Sequence, residues 1–98
     1  MNVNIQAPFT IKGEQESEIN KQIKSLSTYN DRITNAEVFF KVGDGNAADS
    51  VTARLELRVP GPVILASADD KQFMKAFSET ISKAKKQLIK AKEQRRSH

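Results

Sequence analysis

Lysine recurs through the last third of this chain at the three- and four-residue spacing that aligns side chains along a helix. The row reads Lys75, Lys83, Lys86 and Lys90, with Glu79 filling the gap between the first two and Lys71, Lys85, Lys92, Arg95 and Arg96 beside it. An ammonium is a compact point charge with three donors and a guanidinium is a planar fork; ranks of either bind phosphate oxygens. From residue 71 onward nine bases meet only Glu79 and Glu93, a net +7, whereas residues 1–70 hold seven bases and ten acids, a net −3. A polyanion feels that local field, not the +4 average of the chain.

Taking about 100° per residue, Phe73, Phe77, Ile81, Ala84, Leu88 and Ala91 fall on one side of such a helix. Lys75, Glu79, Lys83, Lys86 and Lys90 fall on the other, with Glu79 and Lys83 spaced as an i,i+4 ion pair. Beyond Leu88 the bases become denser, and Lys90, Lys92, Arg95 and Arg96 read as a projecting basic tail over residues 91–98. Two smaller basic sets accompany this one. Arg54 and Arg58 share a side of one alternating strand, with Glu56 between them placed to pair with both, and Lys21 and Lys24 project from an earlier helix pattern. Phe39 is the one aromatic on an outward strand face, too few for a platform that stacks single-stranded bases. Recognition is expected to act on phosphate and shape.

Other chemistries lack their residues. The only histidine is the terminal His98 and there is no cysteine, so a catalytic triad or a zinc site has almost nothing to work with. Asp69-Asp70 reads as a pair of helix caps and Asp44/Asp49 as part of a solvated loop. Gly43-x-Gly45 has neither the third glycine nor the helix pattern of a phosphate loop. The expectation is a protein with no enzymatic activity, cofactor, metal or small-molecule substrate.

The elements that must position these charges can be read from periodicity. Val3, Ile5, Ala7 and Phe9 alternate with polar residues, a half-buried strand that Pro8 confines to an edge or brings to an end. Glu14 to Tyr29 sets Ile19, Ile23 and Leu26 on one helical face, with Glu14, Glu16 and Glu18 in its first turns, where carboxylates complement the helix dipole. Ala36–Val42 and Val51–Val59 are strands, joined across the loop composition of Gly43–Ser50. Val51–Val59 alternates most cleanly, with Val51, Ala53, Leu55, Leu57 and Val59 opposite Thr52, Arg54, Glu56 and Arg58. Pro60-Gly61-Pro62 turns the chain into a short fourth strand, Val63–Ala68, before the long helix. The order predicts an α+β fold, β-α-β-β-β-α: a four-stranded mixed sheet, strands one and two parallel, with both helices packed on one face.

A chain of 98 residues with 38% hydrophobic content makes a single domain, 1–98. Its N-terminus lacks the apolar run of a signal peptide and no segment approaches a membrane span, so a soluble cytoplasmic protein is expected. A membrane-surface role for the basic helix is disfavoured, because its apolar side lacks tryptophan and is needed to cover the sheet.

Four segments in this order resemble the short-form ribosome hibernation promoting factors, the ribosome-associated translation inhibitor or sigma-54 modulation (S30EA-like) family. They are Met1–Ala7; Ser25–Ile33 followed by Ala36-Glu37-Val38; Leu55–Gly61; and Phe73–Lys92 with Lys86-Gln87-Leu88 and Lys90-Ala91-Lys92. The chain departs from the family pattern in having no histidine at Ala7-Pro8-Phe9 and no aspartate in Met74-Lys75-Ala76-Phe77-Ser78. The resemblance implies a domain shaped like a double-stranded-RNA-binding domain. It would sit on ribosomal RNA between head and body of the small ribosomal subunit, excluding messenger and transfer RNA during starvation or stationary phase. Carried over by position, the implied RNA contacts are Lys83, Lys86, Lys90, Lys92, Lys21, Lys24, Arg54 and Arg58; Lys75 and Arg95 join them from the charge pattern. The implied partner is the small subunit and its RNA, bound by a monomer with no membrane involved. The competing expectations are a general double-stranded-RNA binder without ribosome preference and a protein–protein adaptor built on the basic helix.

Overall fold

The computed structural model describes residues 1–43, 50–61 and 63–96, with side chains through Lys92. Its elements follow the expected order: β1 (Asn2–Gln6), α1 (Gly13–Ser25) continued by a 3-10 turn (Leu26–Thr28), β2 (Asn35–Val42), β3 (Val51–Arg58), β4 (Ile64–Asp70) and α2 (Phe73–Arg96). The sheet is mixed and in sequence order, β1-β2-β3-β4. β1 runs parallel to β2, pairing Val3 with Ala36 and Ile5 with Val38, because an α-helical crossover joins them. The other two pairs are antiparallel, as short connections require. Pro8 lies beyond the end of β1, which is an edge strand.

The strict alternation of β3 sends Val51, Ala53, Leu55 and Leu57 into the core and leaves Arg54 and Arg58 in water. Ala36, Val38 and Phe40 of β2 face the same way, and Ile19 and Ile23 of α1 with Leu26 of the 3-10 turn close over them, all buried. Phe77 of α2 is fully buried, and the rings of Phe9, Phe40, Phe73 and Phe77 form a chain with centroids 4.8–6.3 Å apart. Small residues lie where α2 crosses the sheet: Ala53 on β3, Ala66 and Ala68 on β4, and Ala76, Thr80 and Ala84 on the helix, all buried. Thr80 is the polar member, and its hydroxyl is within reach of Ala76 O (2.8 Å) and Ala53 O (3.2 Å), so it stays satisfied when buried.

Three details differ from the sequence expectation. β4 runs two residues further, through Asp69 and Asp70, because antiparallel pairing with Thr52 and Val51 continues that far. Asp69 therefore does not cap α2; its Oδ1 accepts the Thr52 hydroxyl at 2.6 Å across the strands. Asp70 Oδ1 accepts the Gln72 N–H at 3.0 Å, bending the chain just ahead of the helix. At the other end the helix continues to Arg96, so the expected basic tail begins as helical turns. Of the Gly43–Ser50 connection only the ends are described, closed by Gly43 N–H donating to Ser50 O at 2.9 Å; Asp44 and Asp49 lie outside the described residues. In the Pro60–Pro62 turn Gly61 holds φ at 104°, a conformation L side chains rarely adopt.

Candidate nucleic-acid interface

α2 has 24 residues, about 36 Å at 1.5 Å per residue, and only one side of it can face the sheet. Around its axis the remaining surface divides by neighbour. The sector with Lys83, Gln87 and Lys90 borders the β4 edge; the sector with Ser78 and Lys85 borders α1; Lys75, Glu79 and Lys86 point directly away from the sheet.

Lys75, Lys83, Lys86, Lys90 and Lys92 are all exposed, as are Lys21 and Lys24 on α1. Because both helices lie on one face of the sheet, these seven ammonium groups occupy one side of the molecule. Among the described residues none of the seven makes an ion pair, which leaves the charges available to an external anion. The Arg95 side chain lies outside the described residues.

Lys83 departs from the expectation. It does not pair with Glu79; its Nζ donates to Ser67 O at 2.9 Å, and Gln87 Nε2, one turn on, donates to Leu65 O at 2.6 Å. The reason is positional, since β4 is an edge strand and its outward carbonyls need donors. One of the three ammonium protons of Lys83 is thus committed to the fold, and the others remain outward.

Arg54 and Arg58 are exposed but lie on the open face of the sheet, opposite the helices. Rows across that face read Asn4–Glu37–Glu56–Leu65 and Gln6–Phe39–Arg54–Ser67. Arg54 pairs with Glu56 at 3.7 Å; no such contact joins Glu56 to Arg58. Phe39 is half-buried at a shallow depression of about 350 Å³ shared with Lys41, Arg54 and Leu65. This face pairs Arg54 with Glu56, whereas the helix side carries, beside Glu79, an excess of lysines that make no ion pair among the described residues. The nine candidate residues with described side chains therefore fall on two surfaces, a lysine-rich helix side and a sheet side where Arg54 pairs with an acid.

Two residues of the helix side were not singled out by sequence reasoning. Lys85 Nζ stands 5.3 Å from the ring centroid of Tyr29, a cation–π contact that ties α2 to the end of α1. Arg32 is exposed in the turn after α1, where its N–H donates to Asn30 Oδ1 at 2.9 Å, and with Lys92 it lines a polar recess of about 550 Å³. The signal for Lys85 was the lone tyrosine closing α1, which becomes meaningful only when the two helices are adjacent. Arg32 carried no periodic signal.

With lysines as point charges and no bare aromatic beside them, the helix side is suited to hold phosphate groups and match a shape. Among the described residues no three or more acidic, histidine or cysteine side chains converge to hold a metal ion, and no helix is long and apolar enough to cross a membrane.

Comparison with known proteins gives the same direction. No curated protein sequence matches this chain significantly. Among solved structures, a ribosomal subunit interface protein from Coxiella burnetii superposes with a TM-score of 0.82 at 19% identity, covering 94% of this chain and 98% of that one. The Protein Y N-terminal domain of Thermus thermophilus superposes with a TM-score of 0.79 at 17% identity, covering 92% of this chain and 98% of that one. At such identities the superpositions establish the fold. The family model described as sigma 54 modulation protein / S30EA ribosomal protein matches residues 3–96, nearly the whole chain. The family match supports a ribosome-associated factor. The β-α-β-β-β-α layout, the lysine-lined outer helix and the match over residues 3–96 lead to one assignment: the chain belongs to the sigma 54 modulation protein / S30EA ribosomal protein family.

Proposed function

We propose that this protein is a ribosome hibernation factor that binds ribosomal RNA of the small subunit in the decoding channel. By occupying that channel it blocks messenger and transfer RNA and holds translation off during stress and stationary phase. The observation that carries the reading is the lysine-rich outer surface of α2, where Lys75, Lys86 and Lys90 stand exposed beside Glu79 and, among the described residues, make no ion pair.

The mechanism is exclusion by a rigid body. α2 is anchored by Phe77, Ala84 and Leu88, so its outer lysines are held at fixed spacing along one line. A body of 45 × 28 × 17 Å held by several phosphate contacts needs no chemistry to stop a substrate from entering the space it fills. The protein acts as a cytoplasmic monomer, and its contacts are the exposed lysines of α1 and α2, with Arg54 and Arg58 meeting RNA on the opposite wall.

Sedimentation through sucrose gradients tests this. The purified protein is expected to travel with small subunits at low salt and to be released as salt rises. Protein that stays at the top of the gradient while the subunits run below would remove the ribosome from the proposal. Equal binding to any RNA duplex would reduce it to general double-stranded-RNA binding.

A further inference from the structure

The sheet treats its two edges differently. At β4, Lys83 and Gln87 reach down from α2 and donate to the carbonyls of Ser67 and Leu65, so the outward edge is closed. At β1 nothing plays that part. Asn2 N–H donates to Thr34 O at 2.9 Å, which turns the peptide groups of Asn2, Asn4 and Gln6 toward β2. Successive residues alternate, so the N–H and C=O of Val3 and Ile5 point out from the free edge. Among the described residues no hydrogen bond covers them. The strand also lacks the usual devices that blunt an edge, since Asn2–Gln6 contains no charge, no proline and no break in its register.

Beside this edge runs a groove of about 390 Å³ between β1 and α1. Val3, Ile5, Ala7 and Phe9 supply its apolar side, each half-buried, and Glu16 and Asn20 of α1 form the opposite wall. Glu16 is exposed and has no ion pair among the described residues. In a chain whose helix side is basic, this is a local acidic rim.

We propose that the β1 edge and its groove form a β-addition site for an extended polypeptide segment with alternating small apolar residues and at least one lysine or arginine. The backbone of such a segment would pair with Val3 and Ile5, its apolar residues would line up with the half-buried side of β1, and its base would meet Glu16. Charge complementarity selects this occupant over a second copy of the chain. A β1–β1 pair would rest on two strands of five residues each, a small basis for a stable dimer interface, which buries about 1,200 Å² or more, and would offer the groove's Glu16 no basic partner from β1. The site is separate from the lysine surface and does not depend on the ribosome-binding reading.

The test is an NMR titration of the isotope-labelled chain with a synthetic hexapeptide alternating lysine and valine, blocked at both ends, and with its glutamate–valine counterpart. The basic peptide is expected to shift the amides of Val3, Ile5, Glu16 and Asn20 and to slow hydrogen exchange at Val3 and Ile5. The acidic peptide should bind that edge at least tenfold more weakly. Ile5→Pro removes an outward N–H without removing a bond to β2 and should abolish the effect while the rest of the spectrum stays folded. Should that variant unfold, Glu16→Lys carries the test, since it should reverse the preference between the two peptides. Equal response of β1 to both peptides, shifts confined to α2, or β1 shifts that appear with protein concentration alone would each overturn the proposal, the last by making a second copy the occupant.

Discussion

Replacing Lys75, Lys86 and Lys90 together by glutamine separates charge from structure more cleanly than any other change in this chain. All three are exposed, and none has a hydrogen-bond or ion-pair partner among the described residues. Glutamine is nearly as good a helix former as lysine, and exposed substitutions of this kind usually move stability by less than about 0.5 kcal/mol. Thermal unfolding should therefore be almost unchanged. Binding should not. Each phosphate contact contributes about 0.7–0.9 to the slope of log affinity against log salt, so three lost contacts flatten the slope by about 2–3. At about 0.1 M salt the same arithmetic makes the variant roughly a hundredfold weaker or more, and between 50 and 200 mM its affinity should fall about 20–40-fold less than that of the parent. Co-sedimentation with small subunits at four or five salt concentrations reads both quantities. A variant with the parent's slope and affinity would refute the idea that this sector of α2 meets phosphate, whatever else the protein binds. Lower affinity at unchanged slope would point to lost shape contacts and refute the charge argument in particular.

Lys83→Met should behave differently from Lys86→Met. Only the first removes the donor that serves Ser67 O, so it alone should lower stability, by about 1 kcal/mol in thermal or urea unfolding. Thr80→Val deletes the buried hydroxyl that reaches Ala53 O and Ala76 O, costing about 1–2 kcal/mol with no change in the salt slope of binding. Phe77→Ala opens a cavity under α2 and should cost about 3–5 kcal/mol, seen as a fall in Tm and a loss of native dispersion in the spectrum. Gly61→Ala places a Cβ at a φ of 104°, where there is space for it but the backbone is strained, and should cost about 1–2 kcal/mol by the same unfolding measurements.

The fold could be read from the sequence wherever one periodicity stood alone. β3 alternates without exception from Val51 to Arg58, and α2 keeps Phe77, Ile81, Ala84 and Leu88 on one side, so neither can be rearranged without burying charge. What could not be read depended on neighbours far away in the chain. The angle of Lys83 about α2 follows from its position, but the carbonyl it serves belongs to Ser67, and only the packed sheet shows that β4 is an edge needing donors. The contact of Lys85 with Tyr29 spans the two helices in the same way. Asp69 and Asp70 misled for a local reason. Both cap well and both tolerate a strand end, and the pairing of β4 with β3 decided between the two, giving Asp69 to Thr52.

The same division of labour explains how one helix can serve both folding and binding. Phe77, Ala84 and Leu88 bury one side of α2, the Lys83 and Gln87 side chains seal the sheet edge on a second, and Lys85 grips Tyr29 on a third. Three fixed sides leave the fourth with no structural duty, and that side carries Lys75, Glu79 and Lys86. On the proposed function lysine would suit it, because an ammonium meets a phosphate from many directions and affinity would gather along the helix without demanding one orientation at each contact. Discrimination must then come from elsewhere. A surface of point charges pulls on every phosphate polymer, and only the outline of a stiff body, fixed by the packed Phe9–Phe40–Phe73–Phe77 chain, can favour one cleft over another. Loosening that aromatic chain should therefore reduce selectivity before it reduces attraction, because the charge pattern of α2 would survive a softening that the shape of the domain would not.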